Sequence, residues 1–179
     1  MKYESIADVF AANNAFRDRL KATLAQVSAE EAAVRPEGEK WSIQQIVEHV
    51  SMVDTGISMI CGRLLETVKE SAGRSDGSFA MTEKFGDGTA KIADMKLEAP
   101  DRVQPTGNVP IDRSLESMAA ARAALDAMQG EFEGYELAGP TFPHPFLGDL
   151  NAGEWLVLSG LHQNRHNRQI ETLLTKIRQ

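Results

Sequence analysis

The chain has 179 residues, 42% of them apolar and 25% charged, and it carries a formal charge of −7 from 19 basic and 26 acidic residues. That length and composition suit one globular domain over 1–179, and the acidic balance, with no basic run, excludes a nucleic-acid backbone as a partner. A single cysteine excludes an intramolecular disulfide, no segment approaches the ~20 apolar residues of a membrane span, and the acidic start MKYESIADVF lacks the apolar stretch of a signal peptide, so a cytoplasmic location is expected.

Apolar residues Ile6, Val9, Phe10, Phe16, Leu20, Leu24 and Val27 recur at helical spacing and predict a first helix over about 4–27. Ser28-Ala29-Glu30-Glu31 opens a short turn that Pro36-Glu37-Gly38 ends. A second helix begins at Ser42, where Gln45 three residues on completes a capping-box pattern, and it runs to a stop near Gly73. Residues 72–111 are punctuated by glycine and proline. They read as a long connection with a short helix at 90–97 and a plain turn at Gly86-Asp87-Gly88. An alanine-rich third helix is expected over 113–132, with Asp112 as its cap. A loop follows, and Asn151 with Glu154 caps a fourth helix. No strand pattern stands out. Four long helices with a forty-residue link between the second and third predict an all-α four-helix bundle in up-down-down-up order.

Three of the four histidines share a pattern. His162 and His166 lie four apart, one turn along a helix face, and His49 falls on the apolar stripe of the second helix, between Ile46 and Val53. Two imidazoles one turn apart, joined by a third from a neighbouring helix, make an open three-ligand site for a divalent ion such as zinc, nickel or iron. The competing expectation is that each is an ordinary satisfied core histidine. Gln169, one turn beyond His166, can support a ligand or face substrate. Glu48 and Asp54 are candidate outer acceptors. His144, between two prolines in FPHPFLGD, reads as a loop-packing residue, with a fourth-ligand or substrate role as the alternative. Arg165 can serve the surface or an anionic substrate. Cys61 reads as a small core residue, and Trp41 and Trp155 as anchors of helix starts. Gln163 stands where an H-E-x-x-H motif would place its glutamate, so protease chemistry lacks its base.

The stretches KWSIQQIVEHVSMVD, APDRVQPTG and FPHPFLGDLNAGEWLVLSGLHQNRHNRQI resemble, in order and spacing, the DinB/YfiT-like superfamily of metalloenzymes, in its DinB-like branch. The resemblance covers nearly the whole chain. It implies a four-helix bundle, a divalent metal on His49, His162 and His166, and frequent homodimers. It also implies activity as a metal-dependent hydrolase or as a thiol S-transferase or isomerase using a low-molecular-weight thiol. The first expectation is therefore a metal-dependent transferase that activates a thiol co-substrate toward a small electrophile. The alternatives are hydrolysis of a small amide or ester, and a non-catalytic bundle that binds a metal or small molecule.

Overall fold

The computed structural model describes residues 3–93, 95 and 97–179. In chain order the elements are α1 (Ile6–Leu24), α2 (Ala29–Ala33), α3 (Ile43–Ser71), α4 (Glu83–Ile92), a 3₁₀ turn (Asp101–Val103), α5 (Ile111–Ala127), α6 (Gln129–Gly134), a hairpin of β1 (Phe142–His144) and β2 (Gly148–Leu150), and α7 (Ala152–Ile177). Helices α1, α3, α5 and α7 form the four-helix bundle.

Helix starts follow the side chains that cap them. Ser42 accepts from the Gln45 backbone N–H while Gln45 accepts from the Ser42 N–H, and Asn151 and Glu154 do the same for α7. Each box satisfies two of the backbone donors that a helix start leaves free. Glu154 does more than cap its own helix. Its Oε1 also accepts from the backbone N–H and the hydroxyl of Thr82, the cap of α4, at 3.2 and 2.5 Å.

Cross-helix contacts give the direction of each helix. Asn13 donates to the Leu156 carbonyl and Arg19 pairs with Glu171, so α1 and α7 run parallel. Asp54 meets Gln163 while Cys61 lies against the Ala152 carbonyl, so α3 and α7 are antiparallel. Gln44 reaches the Gly107 carbonyl at one end of α3, and Gly62 lies beside Met128 near the other, so α3 and α5 are parallel. The order is up-down-down-up, as the linker lengths predict.

Five local expectations need correction. The crossover helix lies at 83–92, not 90–97. It contains Gly86 and Gly88, so the expected turn there is helical. Buried Phe85 and the Thr82–Glu154 bond hold it, and both are long-range anchors that outweigh two weak helix formers. Within 90–97, Asp94 and Lys96 lie outside the described residues. The third bundle helix starts at Ile111 with Pro110 in the cap position, which leaves Asp112 inside its first turn. It also stops at Ala127, and a separate short helix follows after Met128. Residues 142–150 form an antiparallel hairpin, Phe142 opposite Leu150 and His144 opposite Gly148. Its strands are three residues each, too short for alternation to show.

The bundle has two apolar cores and a polar waist. One core gathers Ile6, Phe10, Ile57, Phe132, Trp155 and Leu156. The other gathers Leu20, Ile43, Val50, Met118, Ile170 and Leu173. Between them, Asn13, Arg17, Asp54, Arg122 and Gln163 surround an internal cavity of about 10 Å³, room for roughly one water molecule. Gln163 Nε2 donates to Asp54 Oδ2 at 2.5 Å, while Asp54 Oδ1 and Asn13 Oδ1 find no partner among the described residues.

Burial pushes the Asp54 carboxyl up to about 7, against the opposing pull of Gln163 and Arg17. Between about pH 4 and 7 the folded protein therefore binds a proton that the unfolded chain has released, and stability falls as pH rises through that window. Asp54→Asn removes the effect. Relative to wild type, the variant is expected to gain on the order of 2 kcal/mol between pH 5 and pH 8 in denaturant unfolding. A stability difference between the two proteins that is flat over this range would refute the assignment.

Candidate metal centre

His162 and His166 project from one face of α7 into the groove that α7 makes with α3, and His49 meets them from α3. Their ring centroids are 4.4 to 5.1 Å apart. One potential ligand atom from each lies within 4.8 Å of the others, and the Nε2 atoms of His162 and His166 are 3.2 Å apart. Histidine–metal bonds of about 2.0–2.1 Å place neighbouring nitrogens about 3.3 Å apart, so the donor spacing suits one shared ion.

Outer contacts orient two of the rings. His49 Nδ1 lies 2.8 Å from the Val103 carbonyl oxygen, which can only accept, so Nδ1 carries the proton and Nε2 keeps its lone pair. His166 Nδ1 lies 2.9 Å from Gln169 Oε1, which fixes the same tautomer. Gln169 is thus a supporting residue. His162 Nδ1 is buried with no partner among the described residues.

Burial also keeps the rings neutral, the form that ligates. Desolvation lowers His49 despite the bond to Val103. It holds His162 well below the ordinary histidine range, and His166, also opposed by the charge of His49, falls to about 3.

The carbonyl that orients His49 comes from the far end of the crossover, and Glu48 holds it there. Glu48 is 2% exposed. Its Oε1 accepts from the backbone N–H and hydroxyl of Thr106 at 2.9 and 2.8 Å, and its Oε2 accepts from the Gly107 N–H at 2.8 Å. Gly107 has φ +80, a conformation that suits glycine at this tight approach. Glu48 is therefore no direct partner of the histidines: it clamps a strap, 103–107, against α3. Nothing in its own helix marks this role, because its partners lie 58 and 59 residues away.

The remaining candidates sort by position. Asp54 and Gln163 face the waist. Arg165 donates to the Ile92 and Met95 carbonyls at 3.0 and 2.5 Å and so ties the crossover to α7. Trp41 lies against His49, with centroids 4.9 Å apart. Trp155 is buried and donates to the Phe142 carbonyl, which anchors the hairpin. Cys61 is fully buried and its thiol is pushed up by burial, so it is a core residue. His144 sits on the hairpin, 5.4 Å from the Trp155 ring between centroids, outside the three-histidine group.

A family model for the DinB superfamily matches residues 12–170. The chain belongs to the DinB superfamily. Among curated proteins, it is similar to the uncharacterized protein YuaE of Bacillus subtilis (strain 168), at 25% identity over 159 residues, covering 84% of this chain and 88% of YuaE. Among solved structures, it is similar to TT2238, described as a four-helix bundle protein. The match has a TM-score of 0.62 at 19% identity and covers 94% of this chain and 99% of TT2238. At that identity the likeness speaks for the bundle alone. The DinB fold and a group of three histidines that could hold a metal ion thus stand together on α3 and α7. Among the described residues, no helix is long and apolar enough to cross a membrane.

Proposed function

We propose that this protein is a metal-dependent enzyme, with His49, His162 and His166 as its ligands, that activates a small thiol for transfer to a small electrophile. The observation that carries the reading is the convergence of three neutral imidazoles, with no fourth protein ligand among the described residues. A bound divalent ion would supply Lewis acidity and lower the pKa of a thiol or water that reaches it.

The chain's own residues do the positioning. Val103 and Gln169 fix the tautomers of His49 and His166, so their lone pairs face inward. Trp41 covers one side of His49 and limits water there. Cys61 is too buried to serve as the sulfur nucleophile, so the thiol enters as a separate molecule.

Thiol transfer is favoured over hydrolysis by the surroundings of the histidines. A hydrolase gains from a general base beside its water. Among the described residues, no Asp or Glu oxygen joins the group of three histidines, and Gln163 is turned toward Asp54. A thiol is acidic enough to ionise near an ion without such a base. A homodimer and a cytoplasmic location belong to the same proposal.

The test is a turnover screen of tag-free protein loaded with zinc, nickel, iron or manganese. Small thiols would be offered with 1-chloro-2,4-dinitrobenzene, and 4-nitrophenyl acetate would be offered without thiol. Thiol-dependent turnover at least tenfold above chelator-treated protein is the expected result. Ester hydrolysis alone would transfer the assignment to a hydrolase, and no metal-dependent turnover at all would favour a binding bundle.

A further inference from the structure

Glu48 is a costly residue to place where it stands. It is buried on α3 beside Ile46, Val47 and Val50, all of them core residues. A carboxylate is tolerated there only where donors replace the water it has lost. Its three donors come from one stretch of the crossover: the Thr106 N–H and hydroxyl reach Oε1, and the Gly107 N–H reaches Oε2.

The same part of α3 grips Gly107 again. Gln44 Nε2 donates to the Gly107 carbonyl at 2.8 Å, and a Cβ on Gly107 would lie 3.4 Å from Cγ and Nε2 of Gln45. With φ +80, Gly107 offers both its N–H and its carbonyl to one helix. The link from here to the metal group is stiff. Pro105 has a fixed φ. The Val103 N–H donates to the Pro100 carbonyl at 3.0 Å, and Gln104 donates through its N–H to the Asp101 carbonyl and through Nε2 to the Ala99 carbonyl. Val103 therefore belongs to a braced turn, and its own carbonyl stands 2.8 Å from His49 Nδ1.

Neighbouring residues on a helix point about 100° apart. Glu48 and His49 thus hold the strap at two separate points, 106–107 and 103. The contact at His49 is the one that keeps the Nε2 lone pair free for an ion. With the strap lifted, Nδ1 loses its acceptor and the ring divides between two tautomers.

We propose that Glu48 is a positioning residue of the metal centre: by docking the strap it holds the Val103 carbonyl on His49, so that the bound ion and the docked strap stabilise each other. This rests on the metal reading above and adds to it a residue that governs the site without touching the ion.

The first test reads the His49 tautomer directly, from two-bond nitrogen–proton correlations of its ring in metal-free protein above neutral pH. Wild type is expected to show the Nδ1–H form alone. Whichever way the amide of Glu48→Gln turns, its NH₂ meets a backbone N–H that the carboxylate had served, so this variant should show both forms. Its zinc affinity, read by competition with a coloured chelator, should fall about tenfold, the lower end of what a lost outer contact costs. Gly107→Ala attacks the strap from the other side and should move both readouts in the same direction. Thr82→Val, whose lost bonds run to Glu154 and the start of α4, should move neither. By linkage, saturating zinc should slow hydrogen exchange of the Thr106 and Gly107 amides in wild type about tenfold.

A wild-type tautomer and zinc affinity in both strap variants would overturn the proposal and leave the metal reading intact. So would strap amides whose exchange ignores zinc, or an equal loss of affinity in Thr82→Val, which would make general loosening the cause. Wild-type protein that takes up no zinc would overturn the metal reading and the proposal together.

Discussion

Replacing His166 by alanine is expected to remove most of the stabilisation that a divalent ion confers on this protein. A ligand that binds only the folded state at a hundred times its dissociation constant adds about 2.7 kcal/mol. For a chain of this length, that raises the unfolding midpoint by roughly 5–10 °C. His166 contributes one of three donor atoms, its Nε2 lies 3.2 Å from that of His162, and Gln169 already holds its ring in the ligating tautomer. Outer-contact losses alone typically cost 10–100-fold in metal affinity, so removal of the donor itself costs at least about 100-fold. At the zinc concentration that shifts wild type, the variant's shift should then fall to about 1 °C or less by scanning calorimetry, and equilibrium dialysis should find it no more than about half occupied. Unfolding of the zinc-free variant separates general damage from ligand loss. An equal zinc-induced shift in both proteins would remove His166 from the site.

The second large effect is expected at Gly160, in the polar waist. A Cβ there would lie 1.9 Å from Asn13 Oδ1, 2.7 Å from its Cγ and 3.1 Å from Phe16 Cδ2. Alanine favours a helix over glycine by up to ~1 kcal/mol, so propensity alone predicts a gain. The contact outweighs it. Asn13 is buried and donates to the Leu156 carbonyl at 2.8 Å, so turning it aside forfeits a buried bond. Overpacking adds about 1–3 kcal/mol, and Gly160→Ala should lose about 2–4 kcal/mol net. Asn13→Ala in the same chain opens the space. The double variant should therefore be more stable than Gly160→Ala alone in urea unfolding. A Gly160→Ala protein as stable as wild type would show that α1 and α7 do not approach so closely.

The parts of the molecule legible in its sequence are those whose signal is local. Ser42 with Gln45 and Asn151 with Glu154 announce helix starts within four residues, and His162 with His166 share a face by spacing alone. The register of His49 among Ile46, Val50 and Val53 likewise places it inward. What escaped depends on distant partners. The helix at 83–92 hides behind Gly86 and Gly88 because its anchors, buried Phe85 and the Thr82–Glu154 bond, are tertiary. The hairpin at 142–150 has strands too short to alternate. Glu48 looks like any helix carboxylate until Thr106 and Gly107 fold onto it. Arg165, weighed as an anion binder, proves to be a tether because two backbone carbonyls of the crossover arrive at its fork.

That tether and the Glu48 clamp grip the crossover at separate points, the carbonyls of Ile92 and Met95 and the strap 103–107. Among the described residues, the span between them and the stretch before α4 carry none of the histidine supports. Insertions or deletions in those stretches can therefore reshape what arrives at the ion while the ion's cradle keeps its form. One architecture can in this way serve many chemistries, with the adjustable part and the fixed part assigned to different lengths of chain.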